Sequence, residues 1–131
     1  MSAQYYSKHG TIARRPEDLY MGFTDMRNLL QALPEDKKEG VTADFDSIRA
    51  TVQGFTIGVR VFERHPYDRI SIKDDGAPFN FNVILHFDDA GEGKTDFSME
   101  VDADLNLMMQ MMLGKKIKEG MDKLVDELAS R

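Results

Sequence analysis

Apolar residues change their spacing twice along this chain. They recur at helical intervals through Leu19, Tyr20, Phe23, Met26, Leu29, Leu30 and Leu33. They then alternate with polar residues from Ile48 to Val101, and return to steps of three and four from Leu105 to Leu128. A period near 3.6 marks helix and a period of two marks strand. In the last segment Leu105, Met109, Met112, Leu113, Ile117, Met121, Leu124, Val125 and Leu128 form one stripe. Lys115, Lys116, Lys118, Glu119, Asp122, Lys123, Asp126 and Glu127 fall on the other side. The spacing predicts a helix over 107–129, about 35 Å long at ~1.5 Å per residue. Asn106 or Asp104 supplies its N-cap, since a short polar side chain can accept from the free N–H groups of the first turn.

The first third of that helix is apolar nearly all round, through Leu107, Met108, Met109, Met111, Met112 and Leu113, so it is expected to be buried on more than one side. Five of the nine methionines lie in the helix. Methionine is flexible and polarizable, suited to filling an irregular core or to lining an adaptable ligand surface. Gly114 and Gly120 interrupt the helix, each at a cost of ~1 kcal/mol against Ala. Gly120 lies near the stripe, where close approach to a sheet would call for it. Gly114 marks a possible bend.

Upstream, residues 3–12 carry Tyr, Thr and Ile and predict a first strand. Pro16 suits the first position of a helix, with Glu17 and Asp18 in the favourable first turn. Thr24 or Asp25 caps a second short helix that Pro34 ends, and 35–40 reads as a charged loop. Five strands follow. Ile48, Ala50 and Val52 share one face, as do Phe55, Ile57, Val59 and Val61; Ile70 and Ile72; Phe79, Phe81, Val83, Leu85 and Phe87; and Phe97, Met99 and Val101. Gln53-Gly54, Asp74-Asp75-Gly76 and 88–93 are turns, and His65-Pro66 ends a strand. Short turns imply antiparallel neighbours, and one apolar face per strand implies one dry and one wet side. The sum is an α+β domain over residues 1–131: a curved six-stranded antiparallel sheet wrapped around a long C-terminal helix, with two short helices after the first strand.

Composition narrows the function. A chain of 131 residues with 41% apolar content suits one globular domain. It has no cysteine, which excludes disulfides, thiolate metal sites and cysteine nucleophiles. No signal peptide or membrane-spanning run is visible, so the expected location is cytoplasmic and no stable membrane insertion is expected. A formal charge of −6 argues against nucleic acid and against anionic membranes. A monomer or weak dimer is expected.

Candidate chemistry is sparse. His9, His65 and His86 lie in or beside strands without metal-ligand spacing, and alternation puts His86 opposite Phe87, on the exposed face. Asp44 and Asp46, like Asp102 and Asp104, are i, i+2 pairs that fit solvated faces better than a cation site. No metal or cofactor is expected. Glu63, Tyr5, Tyr6 and Tyr20 are the groups able to present a proton donor or acceptor to a pocket. Arg49, Arg60 and Arg64 are expected on the outer face, balancing carboxylates across strands.

Several stretches carry a family resemblance: 16–20 (Pro-Glu-Asp-Leu-Tyr), 24–29 (Thr-Asp-Met-Arg-Asn-Leu), 57–64 (Ile-Gly-Val-Arg-Val-Phe-Glu-Arg), 77–81 (Ala-Pro-Phe-Asn-Phe), Leu105-Asn106 and 117–120 (Ile-Lys-Glu-Gly). With the order of elements, they resemble the START-like helix-grip domains, the polyketide cyclase/dehydrase and lipid transport (SRPBCC) superfamily, over nearly the whole chain. The resemblance implies a cavity between helix and sheet, closed at one end by the two short helices. It also implies ligands such as lipids, polyketides or quinones. No catalytic motif matches residue by residue. The walls of such a cavity are the inward residues Val59, Val61, Ile70, Ile72, Phe79, Phe81, Val83, Phe97, Met99, Val101, Met108, Met109, Met112, Leu113 and Ile117. The same residues would equally make a filled core. The expected function is non-catalytic binding of a small hydrophobic molecule. The alternatives are a cyclase/dehydratase-type enzyme, which needs an ionisable side chain in the cavity, and a protein-interaction domain without ligand.

Overall fold

The computed structural model describes residues 2–32, 35–52, 54–77 and 79–130. Leu33, Pro34, where the second helix was expected to end, Gln53 and Pro78 lie outside the described residues. The strands are β1 (Ser2–Tyr6), β2 (Gly10–Ile12), β3 (Val41–Ala43), β4 (Ser47–Val52), β5 (Phe55–His65), β6 (Arg69–Asp74), β7 (Phe81–Gly91) and β8 (Lys94–Asp104). The helices are α1 (Pro16–Phe23), α2 (Met26–Ala32), α3 (Glu35–Lys38) and α4 (Leu107–Ala129). All the strands join one antiparallel sheet in the order β1-β8-β7-β6-β5-β4-β3, with β2 also on β8.

The α+β architecture is as expected, but the sheet has eight strands rather than six. The expected first strand divides because residues 7–9 leave the ladder. Tyr6 faces Glu100 and Gly10 faces Phe97, so this segment holds one residue more than the opposing stretch of β8, the signature of a bulge. Ser7 fastens it: its N–H donates to the Met99 carbonyl (2.9 Å) and its hydroxyl accepts from the Met99 N–H (2.8 Å). The other added strand, β3, pairs with β4, and the segment read as a charged loop contains the single turn of α3.

Helix ends follow the local chemistry. Pro16 opens α1 with Glu17 and Asp18 in its first turn. Asp25 caps α2, its carboxylate accepting from the Arg27 N–H at 3.0 Å. Asn106 caps α4, accepting from the Met109 N–H at 2.9 Å. Such a cap stabilises a helix by ~1 kcal/mol.

Facing residues place the inner side of the sheet in four rows. From the far end inward they are Ala3–Ala103–Phe81 with Val59–Ile48; Tyr5–Val101–Val83–Ile72–Val61; Met99–Leu85–Ile70–Arg64; and Gly10–Phe97–Phe87. Because β8 runs into α4, the helix starts above the first row and runs back over β1, β8 and β2 toward the last. Gly10 shows how close it comes there, since a Cβ on it would lie 2.6 Å from Val125 Cγ1.

The dry core sits at the end of the last two rows. Phe87 and Phe97 are 1% exposed, their ring centroids 5.6 Å apart, and Phe23 stacks on Phe97 at 5.8 Å. Leu19, Tyr20 and Met26 from α1 and α2, and Val125 from α4, complete this cluster. Here the two short helices, not α4 alone, cover the dry side.

Candidate functional site

Burial on the inner face falls from one end to the other among the described residues. Along α4, Met109, Leu113, Ile117, Met121 and Val125 follow one another at steps of four, so they form one row. The first three are half-buried and the last two buried. The sheet shows the same gradient. Ile70, Phe97 and Met99 are buried in the inner rows, while Val59, Phe81, Val83 and Val101 in the outer two rows are half-buried. At that end α2 packs on β3 and β4, the strand that carries Ile48. Half-buried apolar side chains thus stand on the first half of α4 and on β5, β7 and β8, around Val61 and Ile72, which are buried. The rings of Phe79 and Phe81 lie 5.7 Å apart at the start of β7.

Of the residues expected to line a cavity, all but Met108 and Met112 are buried or half-buried. Met108 and Met112 are 71% and 64% exposed and point away from the sheet, with Leu107 and Met111 at 66% and 78%. The expectation of burial on several sides fails for these turns because only one side of α4 meets the β1–β2–β8 edge and no other described element packs over it.

The close approach expected at Gly120 occurs at Gly114 instead. Gly120 is exposed, with nothing within 4 Å of where its Cβ would be. Gly114 is buried, and its Cβ would sit 3.0 Å from the Tyr5 hydroxyl. Tyr5, on the inner face of β1, packs under the helix at that point.

Polar groups sort by face. Glu63 pairs with His65 and lies 3.5 Å from Arg69 on the outer side. His86 Nε2 is 2.9 Å from Glu100 Oε1, also outside, and is half-buried rather than exposed. His9 Nδ1 is 3.0 Å from Asp96 Oδ1 at the surface. Tyr6 is on the outer face, and Tyr20 is in the core. Arg49 and Arg60 bind Asp75. Arg64, expected outside, instead turns inward. A bulge between Val61 and Glu63 puts Phe62 and Glu63 both on the outer side, reversing the alternation beyond them. Arg64 then donates to the Thr24 hydroxyl (2.7 Å) and carbonyl (2.9 Å) and meets Asp46 at 2.9 Å, tying β5 to the α1–α2 junction.

The Asp44 and Asp46 pair is engaged within the fold. Asp44 accepts from the Ser47 hydroxyl and from the N–H groups of Asp46 and Ser47. The Ser47 hydroxyl first, then these N–H groups, hold its carboxyl below the usual carboxylate range. Among the described residues no three His, Asp or Glu side chains gather as a metal site. A shallow depression of about 120 Å³ lies on the outer face over β8, lined mostly by polar groups including Gln4, Asn82, Glu100 and Asp102.

One inner-face carboxylate escaped the sequence reading, which placed it in a turn. Asp74 ends β6, two residues beyond the buried Ile72, facing Val59 of β5. Its Oδ1 accepts the Phe81 N–H at 2.9 Å. The period-two count from Ile70 through Ile72 is the signal that points to it.

No protein-family model and no curated protein matches this sequence. Solved structures do. Norcoclaurine synthase from Thalictrum flavum superposes with a TM-score of 0.72 at 10% identity, over 99% of this chain and 86% of that one. A structural-genomics protein from Rhizobium loti gives 0.65 at 14% identity, over 99% and 96% of the two chains. A solution structure from Thermobifida fusca gives 0.68 at 12% identity, over 90% and 84%. At such identities the likeness is one of fold: the long C-terminal helix, the curved antiparallel sheet and the short helices recur together. The chain has a helix-grip fold, shared with these structures.

Proposed function

We propose that this protein is a non-catalytic binder of a small hydrophobic molecule, held in the trough between α4 and the inner face of the sheet. The observation that carries this reading is the burial gradient. Val59, Val83, Val101, Phe81, Met109, Leu113 and Ile117 are apolar and half-buried, whereas Phe87, Phe97, Met121 and Val125 at the other end are buried. Apolar surface left concave and partly hydrated gains free energy when an apolar ligand covers it, at roughly 25 cal/mol per Å². His9, His65 and His86 all lie outside the trough, and the ionisable groups on its part of the inner face are Tyr5 and Asp74, which this reading treats as packing and binding groups. The chain acts as one domain over residues 1–131, in the cytoplasm. Among the described residues no helix is long and apolar enough to cross a membrane.

Native mass spectrometry of freshly purified protein, followed by organic extraction, tests this. A defined apolar adduct is expected. A clean ligand-free mass, together with no saturable binding of decanol, would contradict the proposal.

A further inference from the structure

The proposed trough is apolar, yet β6 ends on its face in a carboxylate that pairs with no cation among the described residues. Asp74 is half-buried and follows Ile70 and Ile72 in the inward-facing set of β6. Its Oδ1 accepts the Phe81 N–H at 2.9 Å, which fixes the carboxylate beside the first turn of β7. Oδ2 accepts no bond from the described residues. The nearby cations are committed elsewhere. Lys73 sits over the Phe62 ring on the outer face, 5.6 Å from its centroid. Arg49 Nη2 and Arg60 Nε both hold Asp75, at 2.7 and 3.4 Å. Phe81 and its neighbour Phe79 add two aromatic rings.

A carboxylate partly removed from water, with no cationic partner among the described residues, favours a cation over a neutral donor. Charge-assisted hydrogen bonds are roughly twice as strong as neutral ones. We infer that Asp74 is the anchor for the protonated amine of an amphipathic ligand whose hydrocarbon part lies along the trough. This rests on the trough being the binding site, and adds the polar end of the ligand: an ammonium rather than a carboxylate or a hydroxyl.

The test compares decylammonium, decanol and decanoate, each titrated calorimetrically below its micelle concentration near neutral pH. The same titrations are run on Asp74→Asn, which keeps an acceptor oxygen for the Phe81 N–H and whose fold is checked by circular dichroism. Decylammonium is expected to bind about tenfold or more tightly than decanol, with decanoate weakest. Asp74→Asn is expected to erase the advantage of the amine while leaving decanol unchanged. Equal affinity for amine and alcohol in the natural protein would overturn the anchor and leave the trough standing. So would an equal loss for both probes in the variant. Failure of all three probes to bind would overturn the trough reading itself.

Discussion

At the scale of single residues, the two glycines of α4 make opposite demands. Gly120 sits on an exposed turn with open space where a side chain would go. Alanine there restricts the unfolded chain and removes the helical penalty of glycine without a clash. Gly120→Ala is expected to stabilise the protein by about 0.4–1 kcal/mol, read as a higher denaturation midpoint at unchanged slope. Gly114 has the same helical penalty, but a Cβ would lie 3.0 Å from the Tyr5 hydroxyl and 3.3 Å from Tyr5 Cε1. The ring would have to move by several tenths of an ångström. Gly114→Ala should therefore gain less than Gly120→Ala or lose stability. An equal gain at both sites would show that Tyr5 does not brace the helix.

At the scale of elements, periodicity carried most of what was needed. The step of four through Met109, Leu113, Ile117, Met121 and Val125 and the alternation through Phe81, Val83, Leu85 and Phe87 mark their inward faces correctly. Pattern alone cannot tell how many sides of an element are covered. Met108, Met111 and Met112 have the composition of a buried helix and stand in solvent, because coverage depends on where neighbouring elements end. Two other features were hidden for local reasons. The bulge at Phe62 inserts one residue without altering composition, so Arg64 changes face unannounced. Asp74 looked like part of a turn because Asp-Asp-Gly is turn chemistry, while its inward position comes from the strand before it. The proposed trough follows from the resemblance and not from the pattern, since the same apolar list fits a filled core.

At the scale of the whole molecule, α4 is fastened to the sheet partly by exposed charges. The Lys8 N–H donates to Asp122 Oδ1 at 2.7 Å, Lys8 Nζ pairs with Asp126, and Lys118 Nζ donates to the Tyr6 carbonyl at 2.6 Å. The Lys8 N–H first, and then Lys118, hold the Asp122 carboxyl below its usual range. The Arg27 side chain does the same for Asp25, and Ser47 for Asp44. A carboxyl whose folded-state pKa is depressed contributes stability that is complete above its unfolded value, ~3.9 for Asp. That contribution is lost as the pH falls through the folded value. Thermal stability should therefore change little between about pH 5 and 7 and decline below about pH 4. Asp122→Asn should flatten part of that decline. A decline of the same size in the variant would remove Asp122 from the explanation.

The central claim is that one end of the inner face is an open apolar site while the other is closed. The eight methionines among the described residues test it directly, because they sample both ends and the outer surface. With ¹³C-labelled methionine methyl groups, decanol should saturably shift Met109, at the trough wall. Met26, buried in the core, and Met21 and Met111, exposed on outer surfaces, should stay in place. Shifts concentrated on Met108, Met111 and Met112, or the absence of any saturable change at Met109, would contradict the account.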